Sequence, residues 1–351
     1  MAIERCLMKY SLFAGVIMAA GCALGGDVWD ASVADFPRLA GEAGDSARIM
    51  RAVEAAGAGG VVWVPRGEYE IDSTIVVSNR SSLLMHKSAH LKAVKEIPFV
   101  LRYYGRAISP GVYDHNLFIK GGDIDGAGIA SCAYVMGVVH FTMADATFRN
   151  GRKVGLQVGE PYGPSGYEFI ANNLYFKCDV PGCAGNIGLL AHIGDSHFTD
   201  IVVVDYTIGI SNRRGGANRY TRCHVWGGPV NKTGTKEPEY LPGSIAFEMR
   251  ASDIYLDTCY ADTAMTGFYL RGDARLRNCS YFNNFAFKMD NPTVFHHELG
   301  SLSVTGGRYS KNSPHSTLYV RGAEAGNLLW FDNRVTGFTA EETKTLDDTL
   351  K

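Results

Sequence analysis

The sequence repeats one short pattern, which begins as Gly155-Leu156-Gln157-Val158 and returns as Gly209-Ile210-Ser211-Asn212-Arg213 and Gly267-Phe268-Tyr269-Leu270-Arg271. Each copy opens with a small residue, and two apolar positions flank one polar or aromatic position. Further copies are Gly188-Leu189-Leu190-Ala191-His192, Ala246-Phe247-Glu248-Met249-Arg250, Ala286-Phe287-Lys288-Met289-Asp290 and Thr317-Leu318-Tyr319-Val320-Arg321. The spacing of the copies indicates a repeat of about 20 residues with insertions, as in a solenoid.

Strands this short cannot bury a face alone, but stacked parallel strands form one continuous core. The sequence therefore predicts an all-β fold, a single-stranded right-handed parallel β-helix over residues 59–340. A lead-in and a capping helix are expected over 27–58, because Asp45-Ser46 can begin a helix, Ile49 and Val53 follow at helical spacing, and Gly57 can end it. Residues 341–351 are expected to form a polar tail.

The N-terminus has the pattern of an export signal. Arg5 and Lys9 precede the apolar run 12–20, which is too short to span a bilayer. The run ends in Ala19-Ala20-Gly21-Cys22, which resembles a bacterial lipoprotein box. The sequence predicts a signal segment over 1–22 with lipidation at Cys22, or ordinary cleavage just after it. Either outcome places the protein outside the cytoplasm, at the cell surface, in the periplasm or secreted, with membrane contact only through the lipid.

The net charge and the cysteine positions bear on which ligands and cross-links the sequence predicts. The formal net charge is −2, which predicts no nucleic-acid partner. Four cysteines each follow a large apolar or aromatic residue by three positions, and this favours a buried internal column over disulfides: Cys178, Cys223, Cys259 and Cys279. No Cys-x-x-Cys pair occurs, so the cysteines predict no metal site.

Two motifs resemble those of the pectate-lyase-like superfamily, which has the pectin lyase fold. The first runs from Gly44-Asp45-Ser46 through Gly59-Gly60-Val61-Val62 to Pro65-Arg66-Gly67-Glu68-Tyr69, and the second spans Gly121–Gly128. The resemblance implies the β-helix and a carbohydrate-active protein. It assigns no catalytic residue, because the catalytic motifs of polygalacturonases do not occur in place. No cofactor is predicted with certainty, and calcium stays open although no acidic cluster like that of pectate lyases is found.

Alternation along the repeated strand predicts which side chains face outward. One outward column is expected to hold Gln157, Leu190, Ser211, Glu248, Tyr269, Lys288 and Tyr319. The next is expected to hold Gly159, His192, Arg213, Arg250, Arg271, Asp290 and Arg321. Arginines one strand spacing apart repel each other, and an acidic polysaccharide or oligosaccharide lying across them would relieve that repulsion. The alternative is a solvated face whose arginines pair with Glu248, Asp290 or loop acids.

Such a groove suits β-elimination from a uronic acid, the reaction of a polysaccharide lyase. Arg250 and Arg271 are candidates for neutralising the carboxylate, and Lys288, Tyr269 or His192 for taking the neighbouring proton. A glycoside hydrolase remains an alternative, with Glu248 and a second carboxylate at Asp290, Asp257 or Asp262. The second alternative is a surface glycan-binding β-helix without catalysis. Additional candidate substrate-binding residues are Arg213, Arg214, His224, Trp226, Tyr240, Tyr319 and Arg321.

Overall fold

The computed structural model describes residues 28–105, 116–162, 166–180, 183–227, 242–282, 292–311, 316–339 and 342–343. Among the predicted features, Cys22 and the leader, Tyr240, Lys288 and Asp290 lie outside these ranges. No helix within them is long and apolar enough to cross a bilayer.

The chain winds as a right-handed parallel β-helix, in which most coils add one strand to each of three parallel stacks, here named A, B and C. Stack A contains Ile75–Val77, Phe99–Tyr104, Ser131–Met136, Val154–Gly159, Ile187–His192, Ile208–Arg214, Ile245–Met249 and Thr266–Arg271. Stack B contains Ala31–Ser32, Val61–Val64, Ser82–Met85, Phe118–Lys120, Thr142–Ala144, Arg219–Thr221, Ile254–Asp257 and Ala274–Arg277. Stack C contains Gly67–Ile71, Ala89–Ala93, Asp123–Asp125, Thr147–Arg149, His224–Trp226, Tyr260–Asp262, Ser280–Phe282, Arg308–Ser310 and Arg334–Thr336.

Four longer strands continue around a corner of the coil. Ile170–Lys177 and His197–Val204 belong first to stack B and then to stack C, whereas Thr293–Thr305 and Thr317–Phe331 pass from stack A into stack B. A separate two-stranded pair joins Val138–Val139 to Gly166–Tyr167. The β-helix predicted from the repeated strand is confirmed.

The N-terminal helix spans Ser46–Ala56 and buries Ile49, Ala52 and Val53 against the first coil. It ends at Gly57, whose φ of 70° lies in the left-handed region that glycine tolerates. Asp45 precedes the helix without capping it, because its carboxylate accepts hydrogen bonds from Arg38 and from the Glu70 amide instead. The predicted lead-in also contributes a strand, since Ala31–Ser32 pairs with Val62 and Trp63.

The first inward column of stack A forms a ladder of buried side chains. Leu156, Leu189, Ile210, Phe247 and Phe268 are in register on consecutive strands, as predicted. The ring centroids of Phe247 and Phe268 are 5.3 Å apart with planes inclined by 11°. Dispersion and area burial along this ladder make it a main source of stability for the coils beneath the site.

The ladder continues differently from the predicted repeat. The strand beside Thr266–Arg271 is Thr293–Thr305, which places Phe295 against Phe268 at 5.3 Å. The predicted copy at 286–290 falls outside the described residues. In the next coil Tyr319, not Leu318, pairs with Phe295, and its side chain is buried. Tyr319 was predicted to face outward, and this prediction is wrong because the last strands enter with a different register.

The cysteine column is confirmed, and the six cysteines among the described residues are buried. The Sγ atoms of Cys223, Cys259 and Cys279 lie 3.5, 3.3 and 3.5 Å from the carbonyl oxygens of Phe198, Tyr220 and Leu256 in the preceding coil. Each thiol therefore acts as a small apolar filler with a weak donor.

The residue that opens each repeat is small because side chains of stack C, on the opposite side of the coil, pack against it. A Cβ added to Gly209 would lie 2.2 Å from the Cγ1 of Val225, and one added to Gly267 would lie 2.6 Å from the Tyr281 ring. Ala246 opens the coil whose residue in stack C, by the same register, is the small Ala261. The interior thus balances small residues of stack A against larger ones of stack C.

We expect Gly209→Ala to destabilise the protein by about 1–3 kcal/mol, because the extra methyl overpacks this contact. In a Val225→Ala background the same substitution should cost less, since the clashing methyl groups are gone. Urea unfolding of the wild type, the two single variants and the double variant measures the coupling energy between Gly209 and Val225. Equal costs in both backgrounds would contradict the packing explanation.

Candidate functional site

The outer face of stack A carries the predicted polar column in register. Gln157, Leu190, Ser211, Glu248 and Tyr269 follow one another on consecutive strands. The same register extends the column to residues that the repeat did not indicate, with Arg102 and Tyr134 before Gln157 and His296 after Tyr269. The column is one continuous line of side chains across eight coils.

Glu248 is the centre of a hydrogen-bonded cluster on this face. Its side chain is 1% exposed although it lies outside the apolar core. One oxygen, Oε1, accepts from Nε and Nη2 of Arg250 at 3.0 and 2.7 Å. The other, Oε2, accepts from Nε of Arg213 at 3.0 Å and from the Ser211 hydroxyl. Both carboxylate oxygens are therefore occupied by donors.

These contacts fix the charge of Glu248. Burial would raise the pKa of this carboxyl, but the hydrogen bonds from Ser211 and Arg250 and the charge of Arg213 outweigh it, so the pKa is lowered. Glu248 stays ionised at neutral pH and cannot supply a proton to a leaving group. The arrangement disfavours Glu248 as the acid of a hydrolase and makes it a residue that positions two guanidinium groups.

The two arginines keep donors available for a ligand. Their side chains are 35% and 38% exposed for Arg213 and Arg250, and the contacts with Glu248 use only part of each guanidinium. On the next strand Arg271 is exposed, and no carboxylate of the described residues forms an ion pair with it. Two guanidinium groups thus meet the solvent around one buried carboxylate, and a third, that of Arg271, is exposed on the neighbouring strand.

Tyr269 connects this cluster to a second carboxylate. Its hydroxyl donates a hydrogen bond to Glu298, and the Cζ of Arg250 lies 5.4 Å from its ring centroid. His296 meets the Tyr269 ring edge-on at 5.1 Å, and burial lowers the pKa of this imidazole. Sequence reasoning missed Glu298 because it sits at a bulge between His297 and Leu299, where the repeat pattern breaks.

His192 lies beside the arginines and is mostly buried, with 7% of its surface exposed. The bulge after Ala191 pairs it with Arg214, not with Arg213 as the repeat predicted. No hydrogen-bond partner for its Nδ1 occurs among the described residues. Burial and the charges of Arg213 and Arg214 lower the pKa of His192 to about 4. The imidazole is therefore neutral at physiological pH.

A depression of about 650 Å³ opens where the strands of stack A end, next to this cluster. Arg213 and Arg214 form one side, and Tyr167, Asp195 and Asp253 lie along the rest. Its floor is mostly backbone, built by Gly166, Gly194, Gly215 and Gly216. Backbone groups, two arginines and two aspartates together offer both donors and acceptors to a polar ligand, with the cationic side chains next to the Glu248 cluster.

Other residues predicted to bind substrate lie away from the Glu248 cluster or are hydrogen-bonded to the backbone. Val225 points inward at Gly209, so its neighbours His224 and Trp226 lie on the outer face of stack C, away from the Glu248 cluster. The structure therefore does not bring these two candidate substrate-binding residues together with the arginines, because they form a regular strand of another stack. Arg321 donates to the carbonyl oxygens of Ala325 and Gly326 at 2.9 and 3.1 Å.

The alternative carboxylates of the sequence analysis are also remote. Asp257 lies on stack B and Asp262 on stack C, so neither accompanies Glu248 on the outer face of stack A. Within the described residues, no group of three or more His, Cys, Asp or Glu side chains is arranged to hold a metal ion.

The lowered pKa of His192 predicts a specific pH dependence of stability. In the unfolded chain the pKa of this imidazole is near 6.5, whereas in the folded protein it is about 4. Between these pH values the unfolded state therefore binds more protons than the folded state, and the free energy of unfolding falls as the pH decreases. His192→Gln should flatten that part of the profile by up to about 3 kcal/mol. Urea unfolding from pH 7 to pH 4 measures it. Superimposable profiles would show that His192 titrates normally.

Neither a protein-family model nor a curated protein sequence matches this chain. Solved structures do match its fold. A Geobacillus virus E2 protein aligns with a TM-score of 0.62 at 17% identity, covering 87% of this chain and 60% of that one. The endo-xylogalacturonan hydrolase of Aspergillus tubingensis aligns with a TM-score of 0.60 at 13% identity, over 88% of this chain and 93% of the enzyme.

A third match is the A-module of a mannuronan C-5 epimerase from Azotobacter vinelandii, with a TM-score of 0.51, 14% identity and coverage of 87% and 95%. At these identities the likeness establishes the fold alone, a parallel β-helix. The chain spans about three fifths of the virus protein.

Proposed function

We propose that this protein is an extracytoplasmic enzyme that degrades an acidic, uronic-acid-containing polysaccharide by β-elimination. The observation that carries the proposal is the buried, ionised Glu248, which fixes Arg213 and Arg250 side by side with donors left over. Both arginines stay more than a third exposed while paired with Glu248, so each guanidinium keeps donors that can reach a ligand. Two of the matching structures are named for acting on xylogalacturonan and mannuronan, polymers that contain uronic acids.

The proposed β-elimination begins with neutralisation of the negative charge on the sugar carboxylate. Bidentate contacts from Arg213 and Arg250 neutralise the sugar carboxylate, which makes the neighbouring C5–H acidic. Tyr269 is placed to take that proton, because its own phenolic proton can pass along the hydrogen bond to Glu298. The electrons of the C5–H bond form a C4–C5 double bond as the C4–O bond breaks. The phenol then returns a proton to the leaving oxygen, and Glu298 restores the phenol.

His192 is the second candidate base, since its neutral imidazole has an unpaired Nδ1 among the described groups. Tyr269 is preferred because Arg250 packs on its ring and its hydroxyl is hydrogen-bonded to Glu298, whereas His192 is almost fully buried.

The test is incubation of the purified protein with pectate, alginate and other uronate polymers. Ultraviolet absorbance of the unsaturated product should appear with one of them. New reducing ends without that absorbance would indicate hydrolysis, and retention on immobilised polymer without any product would indicate a glycan-binding protein. Neither turnover nor retention with any acidic polymer would overturn the proposal.

Two double variants are compared. Arg213→Ala/Arg250→Ala removes the proposed ligand-binding arginines, and Arg219→Ala/Arg275→Ala is the control. The second pair flanks the Tyr255 ring on stack B, with Cζ atoms 4.7 and 5.0 Å from its centroid, and lies off the proposed groove. Binding and turnover should be lost in the first pair and kept in the second. Thermal unfolding of both checks that they are folded. Full activity in a folded Arg213→Ala/Arg250→Ala protein would show that the groove is elsewhere.

A further inference from the structure

A second cationic position lies on the same face of the β-helix, toward its N-terminal end. Arg102 occupies the outward column on Phe99–Tyr104, and its register partner is Tyr134. Its Cζ lies 4.9 Å from the centroid of the Tyr104 ring and 5.4 Å from that of Tyr134. The guanidinium is thus held between two aromatic rings.

Arg102 lacks the anionic partner that such a group needs. Its Nε is buried without a hydrogen bond, and no carboxylate of the described residues forms a salt bridge with it. Glu160 lies close by, but it accepts a hydrogen bond from the Tyr134 hydroxyl at 2.9 Å. This half-buried cation has an Nε without a hydrogen bond and no carboxylate partner among the described residues, and an anionic ligand would pair with its charge.

The position mirrors the arrangement around Glu248. There, too, an arginine packs on a tyrosine ring and the tyrosine hydroxyl donates to a glutamate, as Arg250, Tyr269 and Glu298 do. Here the three roles fall to Arg102, Tyr134 and Glu160. The difference is that Arg250 is also bound to a buried carboxylate, whereas Arg102 is not.

The two arrangements lie on one face of the molecule, in the same outward column. Five strand spacings separate the strand of Arg102 from that of Glu248, which is about 24 Å at the usual spacing of parallel strands. The depression beside Arg213 and Arg214 extends from Tyr167 to Asp253 and so covers several of the intervening coils. Leu190 belongs to a buried apolar cluster, so the accessible path runs along this depression and not over the centre of the column.

We infer that Arg102, with Tyr104 and Tyr134, forms a distal site that binds one acidic sugar of the same polysaccharide chain, several residues from the reacting sugar. This inference rests on the proposed function. It gives the enzyme a preference for long acidic oligosaccharides over short ones. A chain that reaches only the Arg213–Arg250 cluster gains nothing from Arg102.

The experiment compares fluorescent trisaccharides and octasaccharides of galacturonate and of alginate, with affinities taken by stopped flow before turnover begins. The wild type should bind the octasaccharide of its preferred series more tightly than the trisaccharide. Arg102→Gln should reduce octasaccharide affinity about tenfold, the size expected for a lost charged hydrogen bond, and leave trisaccharide affinity unchanged. Arg102→Lys should lose less, and thermal unfolding should report both as folded.

Arg275→Gln is the matched control, because it also removes an arginine from a tyrosine ring but on stack B. A methyl-esterified octagalacturonate tests the charge and should bind no better than its trisaccharide. If folded Arg102→Gln and Arg102→Lys both keep the full octasaccharide preference, the distal site does not exist, and the proposed function is unaffected by this result. If the wild type binds no acidic oligosaccharide of either series, the proposed function fails and this inference with it.

Discussion

Turnover of the acidic polysaccharide is expected to fall by about 10²- to 10⁴-fold when Tyr269 is replaced by Phe, because proton transfer by a positioned group contributes this much to a rate. The substitution removes the one oxygen that links the C5 proton to Glu298. The ring stays, so its contacts with Arg250 and His296 remain. The loss should therefore appear in kcat, with little change in the affinity for substrate.

Two comparisons make this result specific. Tyr255→Phe removes a hydroxyl that accepts a hydrogen bond from Arg275 at 3.0 Å on stack B, and it should leave turnover unchanged. His192→Gln should keep most of the activity. If Tyr269→Phe stays active while His192→Gln does not, the imidazole is the base and the role given to Tyr269 is wrong.

Phe268→Ala is expected to lower the free energy of unfolding by about 3–5 kcal/mol, the usual cost of truncating a buried aromatic residue. Phe268 is fully buried between Phe247 and Phe295, with centroids 5.3 Å away on both sides. Its removal breaks the ladder directly beneath Tyr269 and opens a cavity that the neighbouring coils cannot close. Urea unfolding followed by circular dichroism measures the shift in midpoint.

Phe282→Ala provides the control within the same coil. Its side chain is on the outer face of stack C and 39% exposed, so the cost should stay within about 0.5 kcal/mol. Equal losses for the two variants would mean that the interior ladder does not bear the stability assigned to it. Phe268→Leu should fall between them, since it fills part of the cavity.

Much of the fold follows from the sequence because the repeated strand is strictly patterned. The alternation of Phe247, Glu248 and Met249 predicts which side chains face inward, and the register with Phe268, Tyr269 and Leu270 confirms it. The small opening residue also has a physical cause in the facing wall. A pattern set by the backbone and by core packing can be recognised without coordinates.

The details of the site could not be predicted in the same way. Whether Glu248 is exposed or clamped depends on the paths of two long arginine side chains, which no spacing specifies. Glu298 and the pairing of His192 with Arg214 depend on bulges, and a bulge shifts the register by one residue without a marked change in composition. The repeat alone did not indicate Phe295, which is the residue that pairs with Phe268, because the length of chain between successive coils is not fixed.

In the three stacks, strand pairing links each coil chiefly to the coils just before and after it in the chain. Ordering one coil therefore requires closure of a loop of only a few tens of residues, and that entropy grows slowly with length. We expect the β-helix to assemble by propagation, each finished coil serving as a template for the next. The Glu248 cluster draws on two successive coils, so its charges come together only after the second of these has docked.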